Sequence, residues 1–217
     1  ENPVSFFESC IDNKVRNAVG FISLRGGYMN SKPSKAFQFK DEPIINITYL
    51  CYNQNSYLPC INQKPTFMED LRWEIKNYIS NDVDGCFSNM AETFRRNGYE
   101  VSIDYRDFNV TVVPSKISVE TDSKITLTKA GQTTKEENIK AEVASKLYEI
   151  SFIVQEIVNQ EARFCYAEIS GISVIYPEFI IDRTKTYDLT NIYTLEHRES
   201  REKFRFAVRS CAIPPTL

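Results

Sequence analysis

The chain has 217 residues, of which 42% are hydrophobic and 25% charged, and its net charge is −3 at pH 7. A chain of this kind can bury a sizeable core, and its acidic balance disfavours non-specific binding to nucleic acid. Its apolar runs fall short of the roughly 18 residues that a membrane-spanning helix needs. We therefore predict a folded protein with no nucleic-acid partner and no membrane span within these residues.

The first part of the chain predicts a helix followed by a hairpin. Asn2-Pro3 begins the helix, because proline suits the first helical position, and Gly26-Gly27 ends it. The polar stretch 28–40 predicts a loop. β-branched and aromatic residues over 43–52 favour a strand, which a turn at 53–56 and a returning segment at 57–60 extend into a hairpin.

A second helix is predicted after Thr66, which has the spacing of a capping box with Glu69. Aspartate and glycine at 82–85 are ordinary turn residues, so we expect this helix to end there. Residues 86–96 then predict a separate short helix that ends at Asn97-Gly98.

A change to a two-residue hydrophobic period at Tyr99 predicts four short strands. They cover residues 99–105, 109–113, 116–120 and 125–128, with turns at 106–108 and 121–124. Short strands at this spacing are typical of an antiparallel meander with one buried face and one exposed face.

A long amphipathic helix is predicted to end at Cys165, because apolar residues recur at steps of three and four through residues 143–158. Two signals disagree about its start. Thr134 and Glu137 have capping-box spacing, whereas Ile139 and Val143 belong to a strand-like alternation. We place the start at residues 142–145.

The last part of the chain predicts a short helix and four strands. The helix is placed at 167–171, and the strands at 172–176, 179–181, 192–195 and 203–208. The expected fold class is α+β, with N-terminal helices, an antiparallel β meander and a long amphipathic helix packed on a sheet. Residues 1–98 form the helical portion with its hairpin and residues 99–217 the sheet with the long helix, within one compact unit.

Six cysteines and two glycosylation sequons favour an oxidising, extracellular location. Six cysteines allow 15 pairings, and we predict the three disulfides Cys51–Cys60, Cys10–Cys86 and Cys165–Cys211. The sequons begin at Asn46 and Asn109. Buried free cysteines and chance sequons would give the same pattern. The lack of a CxxC pair and the single histidine disfavour a zinc site.

The sequence predicts no catalytic, cofactor-binding or metal-binding residue. His197 could serve acid–base chemistry, but it lies in the charged stretch 196–202, which predicts an exposed turn. The segment 82–85 fails the register of a calcium loop. Gly26-Gly27 is too short for a phosphate loop, although glycines let another backbone or a ligand approach closely. Clustered tyrosines predict a recognition surface made of Tyr49, Tyr52 and Tyr57.

Several motifs resemble a family of uncharacterised archaeal extracytoplasmic proteins. The opening Phe6-Phe7-Glu8-Ser9-Cys10 followed by Gly26-Gly27-Tyr28 looks like that family's cysteine helix and GGY motif. The segments 74–79, 148–150, 157–162 and 204–209 are also similar to its pattern. The resemblance implies a membrane anchor upstream of Glu1 and a cell-surface location. It carries no established activity.

The function that these features favour is a non-enzymatic structural or adhesive protein at the cell surface, in an envelope or filament assembly. Its expected partners are other surface proteins or further copies of itself. The alternative is an extracytoplasmic ligand-binding or sensor domain, which would need a pocket with converging polar groups. A hydrolase with paired carboxylates is the third hypothesis.

Overall fold

The computed structural model describes residues 2–212. Over these residues the helices are α1 (Pro3–Ser23), α2 (Phe67–Arg96), α3 (Leu147–Phe164) and α4 (Ile169–Ile175). The strands are β1 (Ser34–Phe37), β2 (Ile45–Tyr52), β3 (Ile61–Asn62), β4 (Glu100–Val113), β5 (Lys116–Lys129), β6 (Gln132–Glu137), β7 (Lys140–Ala144), β8 (Phe179–Lys185), β9 (Asn191–His197) and β10 (Lys203–Arg209). The α+β class predicted from the sequence is confirmed.

The chain divides into two compact units. Unit 1 comprises Glu1–Val19 and Ile75–Ser145, and unit 2 comprises Gly20–Glu74 and Lys146–Leu217. Two of the boundaries lie inside α1 and α2, so each of these helices contributes residues to both units. Residue 98, where we divided the sequence, lies within unit 1.

Unit 1 contains a helix pair and a four-stranded antiparallel sheet. The centres of the Phe7 and Phe87 rings lie 5.6 Å apart, and the disulfide Cys10–Cys86 joins the two helices beside them. The sheet has the order β4-β5-β6, and β7 also pairs with β5. The ring of Tyr105 in β4 stacks on Phe87, so the helix pair packs on this sheet.

Helix α2 is one continuous helix of 30 residues, so the predicted end at 82–85 is wrong. Its buried residues continue at helical spacing through Ile79, Val83, Cys86 and Met90. Burial of this face outweighs the cost of about 1 kcal/mol for Gly85 in a helix interior. The separate helix at 86–96 is the second half of α2.

The antiparallel meander is present as β4-β5-β6, but its predicted division into four short strands is wrong, because β4 and β5 are two paired strands of 14 residues each. The expected turn at 106–108 is a bulge, seen as a register shift between Tyr105 and Asp107. Residues 121–124 continue β5 instead of turning. Thr121 and Ser123 are buried, and the Thr121 hydroxyl donates to the Ile139 carbonyl at 3.0 Å.

The start of the long helix is five residues later than the earliest start that we predicted. Residues 132–137 form β6 and residues 140–144 form β7, in which Val143 pairs with Ile117. The alternation of apolar residues was therefore the correct signal, and the capping-box spacing was misleading. Lys146 precedes the helix, and its backbone N–H donates to the Glu202 carboxylate at 2.9 Å.

Unit 2 contains a mixed sheet with the order β1-β2-β10-β9-β8, to which β3 adds by pairing with β2. The pair β2–β10 is parallel and the other pairs are antiparallel. Helix α3 packs on β2, β3 and β10 and buries Leu147, Ile150, Val154 and Ile157. The prediction of a long amphipathic helix packed on a sheet is confirmed.

Two further segments of unit 2 differ from the prediction. Part of the expected loop 28–40 forms β1, because Ser34 pairs with Thr48 and Phe37 with Ile45. The expected strand 172–176 lies mostly in α4. The Glu168 carboxylate caps the first turn of this helix by accepting a hydrogen bond from the Ser170 N–H. In residues 2–212, no helix combines the length and the apolar character that crossing a membrane requires.

Candidate functional site

The hairpin between β2 and β3 ends in a loop that is fixed from several sides; we call residues 53–61 the hairpin tip. The side chain of Asn53 donates to the Pro59 carbonyl at 2.8 Å and accepts from the Asn55 N–H at 2.9 Å. The Asn55 side chain in turn accepts from the Tyr57 N–H at 2.9 Å. The disulfide Cys51–Cys60 closes the base of the loop.

Residues 210–212 also hold the hairpin tip. The Ala212 N–H donates to the Ser56 carbonyl at 2.8 Å, and the Cys60 N–H donates to the Ser210 hydroxyl at 3.1 Å. Contacts on both sides of the loop therefore fix the backbone from which its side chains project.

Three apolar side chains project from this fixed backbone. Tyr57 is 89% exposed, Leu58 53% and Ile61 68%. The surrounding sequence has no charged residue from 43 to 63. Charge depletion combined with exposed aromatic and aliphatic groups is typical of the core of a protein–protein interface. The hairpin tip is the candidate functional site.

The structure places only one of the three predicted recognition tyrosines at the surface of the tip. Tyr57 is exposed, Tyr52 is half-buried, and Tyr49 is only 5% exposed. The prediction is wrong for Tyr49, because its strand position points the ring into the core, where its hydroxyl lies 2.7 Å from the Thr190 hydroxyl.

All three predicted disulfides are present, with Cα separations of 6.0 Å for Cys10–Cys86, 5.3 Å for Cys51–Cys60 and 5.2 Å for Cys165–Cys211. They indicate an oxidising, extracellular-type environment. The sequon residues Asn46 and Asn109 are both exposed, which is the placement that a glycan requires.

His197 is a buried residue and not part of an exposed turn, so that prediction is wrong. It ends β9 with its ring 5.1 Å from that of Phe179. Its Nδ1 accepts from the Ser200 N–H at 3.1 Å and lies 2.9 Å from the Ser200 hydroxyl. These contacts stabilise the turn between β9 and β10. Within residues 2–212, no three histidine, cysteine, aspartate or glutamate side chains come together as metal ligands.

A buried acid lies beneath the end of α3. Glu161 is fully buried, and its carboxylate accepts from the Tyr193 hydroxyl and, at 3.4 Å, from the Asn191 amide. Burial raises the pKa of Glu161, and the Tyr193 hydrogen bond and the charge of Arg183 oppose that rise. Its other carboxylate oxygen has no protein partner within the described residues.

Glu161→Gln is expected to change the pH dependence of stability. The unfolded carboxyl titrates near pH 4.3, as glutamate does in a peptide, and the raised pKa lets the folded protein hold its proton to higher pH. The native state therefore binds more protons across that window, and wild-type stability falls there as pH rises. Urea unfolding of both proteins from pH 4 to pH 8 should show the wild type losing stability relative to Glu161→Gln.

Glu156→Gln is the matched control for this comparison, because Glu156 lies on the exposed face of the same helix. Its stability relative to wild type should vary little with pH. A stability difference between wild type and Glu161→Gln that is the same at every pH would contradict the assignment of a raised pKa to Glu161.

A cavity of about 340 Å³ lies beside the Gly26-Gly27 segment. Gly26 has φ 80°, and a Cβ there would meet the Thr48 Cβ at 2.9 Å. The absence of a side chain lets the Arg25 carbonyl accept from the Thr48 N–H at 3.1 Å. Gly26 thus allows close packing against Thr48, which lines the cavity.

Sequence reasoning missed Leu58, Ile61 and Glu161. The charge-free run 43–63 is a signal for the first two. Glu161 follows Ile157 by four residues, so the spacing that predicts the buried face of α3 also places Glu161 on it. Arg25, which lines the cavity, had no signal, because the cavity exists only where residues 25–31 meet residues 44–48.

A scan of protein-family models, a search of curated proteins and a search of solved structures each found no match to the chain.

Proposed function

We propose that the protein is a non-enzymatic structural or adhesive protein of the cell surface, and that it binds a partner protein through the hairpin tip. The observation that supports this proposal is the fixed, uncharged tip with Tyr57, Leu58 and Ile61 exposed. A loop held in one conformation before binding loses little conformational entropy when it binds. The three disulfides and the exposed sequon residues are in keeping with an extracytoplasmic setting.

The small apolar area of the tip favours a partner with a concave surface. Three side chains offer a small apolar patch, and two such patches pressed together would bury far less than the roughly 800 Å² per partner of a standard interface. Insertion into a groove covers more of each side chain. We therefore propose a different surface protein as the partner and not a symmetric dimer of tips.

Photo-crosslinking tests this contact directly. A photoreactive phenylalanine analogue at position 57 should give one crosslinked species with cell-envelope extract of the source organism. The species should be lost when Leu58 and Ile61 are replaced by serine, because burial of each side chain contributes about 1.5–3 kcal/mol. Loss of about half of that contribution from each corresponds to a decrease in affinity of roughly 10–100-fold.

Tyr187 provides the matched control, since it is another tyrosine of unit 2 and is 96% exposed. The same analogue at position 187 should give no such species. Equal crosslinking from both positions, or crosslinking from position 57 that survives Leu58→Ser and Ile61→Ser, would contradict the proposal. A crosslinked homodimer would contradict a different protein as the partner and would identify the partner as a second copy of this chain.

The cavity beside Gly26 is the one observation that favours the alternative, a ligand-binding or sensor domain. Its volume lies at the small end of the range for small-molecule sites, about 300–1,000 Å³. The glycosylation sequon at Asn46, which borders the cavity, suggests an attached sugar as the occupant instead of a free small molecule.

A further inference from the structure

The cavity beside Gly26 is lined by part of a glycosylation sequon. Asn46 and Thr48, the first and third residues of that sequon, are both among its lining residues. Asn46 is exposed, whereas Thr48 is buried. A sugar attached to the Asn46 side chain would therefore start at the wall of the cavity.

The other polar groups of the cavity suit a sugar. The guanidinium of Arg25 lies 3.7 Å from the centre of the Phe21 ring, and its Nη1 donates to the Phe21 carbonyl at 2.9 Å. Two contacts thus hold the guanidinium in place. Asn30 and Ser31 add an amide and a hydroxyl, and no acidic residue is among the lining residues. Such groups can donate to and accept from the hydroxyl and acetamido groups of a pyranose.

We propose that this cavity is the seat of the first sugar of an N-linked glycan on Asn46. Attachment forms a bond between Asn46 Nδ2 and the anomeric carbon of the sugar. The amide loses one proton, and the lipid pyrophosphate of the donor substrate leaves; a glycosyltransferase of the secretory pathway performs this step. The proposal rests on the extracytoplasmic location in the proposed function, and it is independent of the hairpin tip.

A seated sugar stabilises the folded protein, because a covalently attached ligand pays little of the entropy of association. To test this, the protein is to be expressed in a eukaryotic host that secretes it. An endoglycosidase then trims each glycan to one N-acetylglucosamine. We expect the sugar on Asn46 to raise the Tm by about 2–4 °C relative to Asn46→Gln, since about 1 kcal/mol gives a shift of that size in a chain of this length.

Two variants test whether the cavity causes that rise. Arg25→Met removes the guanidinium, and Ser31→Tyr fills the cavity. Each is compared with and without the Asn46 sugar, so any loss of stability from the variant itself cancels. Either variant should remove at least half of the rise in Tm. The sugar on Asn109, on the exposed face of β4, is the matched control and should raise the Tm equally with and without Arg25→Met.

Intact mass distinguishes the possible failures. A sugar on Asn46 whose effect on the Tm is unchanged by Arg25→Met and by Ser31→Tyr would overturn the cavity proposal and leave the location intact. An occupied Asn109 with a bare Asn46 would overturn it as well. Two bare sequons would remove both this proposal and the glycoprotein part of the proposed function.

Discussion

Replacing both Cys10 and Cys86 with alanine is expected to lower the free energy of unfolding by about 4.5 kcal/mol. The disulfide joins residues that are 76 positions apart, so its loss frees a long loop in the unfolded chain. The stabilisation that a crosslink provides grows with the logarithm of the loop it closes. Urea unfolding measures the change, and hydrogen exchange should show the largest loss of protection in α1 and α2.

The hairpin disulfide Cys51–Cys60 is the matched comparison, because it closes a loop with a separation of only 9 residues. The same chain-entropy relation gives about 2.5 kcal/mol for its removal. We expect Cys10→Ala/Cys86→Ala to be the less stable of the two double variants. The reverse order would show that native-state contacts and not the unfolded chain determine the contribution of these crosslinks.

The second large effect is expected at an ion pair in unit 2. The guanidinium of Arg205 is buried, donates from both terminal nitrogens to the Glu42 carboxylate, and lies 3.9 Å from the centre of the Phe39 ring. Glu42→Gln leaves that charge without its counterion in a mostly dry site. Removing one member of a buried pair costs about 3–5 kcal/mol. The Glu42 side chain is 39% exposed, so we expect about 2 kcal/mol.

The stability that the Glu42–Arg205 pair contributes should depend on pH. Arg205 lowers the pKa of Glu42, so the ionised pair stabilises the folded state above the unfolded pKa of about 4.3. That contribution is lost as the pH falls through the lower folded pKa. The difference in the free energy of unfolding between wild type and Glu42→Gln should therefore be largest at pH 7 and decrease at acidic pH.

An exposed ion pair provides the control for Glu42→Gln. The Arg16 Nε and the Asp12 Oδ2 lie 2.8 Å apart, and both side chains are partly exposed to solvent. Asp12→Asn should cost less than about 1 kcal/mol, as is usual for surface pairs. Equal effects of the two substitutions would show that burial of Arg205 adds nothing to its pairing with Glu42.

The sequence was informative wherever one periodicity extended over a whole element. The apolar faces of α1 and α3 and the alternation in β10 each recur often enough to fix the type of element. The disulfides could be paired because Cys10 and Cys86 lie on predicted helices and Cys51 and Cys60 on one hairpin. These features depend on local sequence.

The errors arose where distant contacts outweighed a local signal. Turn residues at 82–85 are tolerated within α2 because the buried face continues on both sides of them. The short strand β1 exists only because it pairs with β2. The same holds at the candidate site. The charge-free run 43–63 points to Leu58 and Ile61, but the burial of Tyr49 against Thr190 depends on a contact that no local pattern contains.

The contacts between residues 53–60 and residues 209–212 also bear on when the hairpin tip forms during synthesis. The Cys60 N–H finds its acceptor on Ser210, 150 residues later in the chain. At translation rates of about 5–20 residues per second, that interval lasts about 8–30 s. A nascent chain therefore displays this hairpin without its final supports until the last strand has emerged. The hairpin tip therefore reaches its final conformation only after residues 209–212 have been synthesised, well after its own residues.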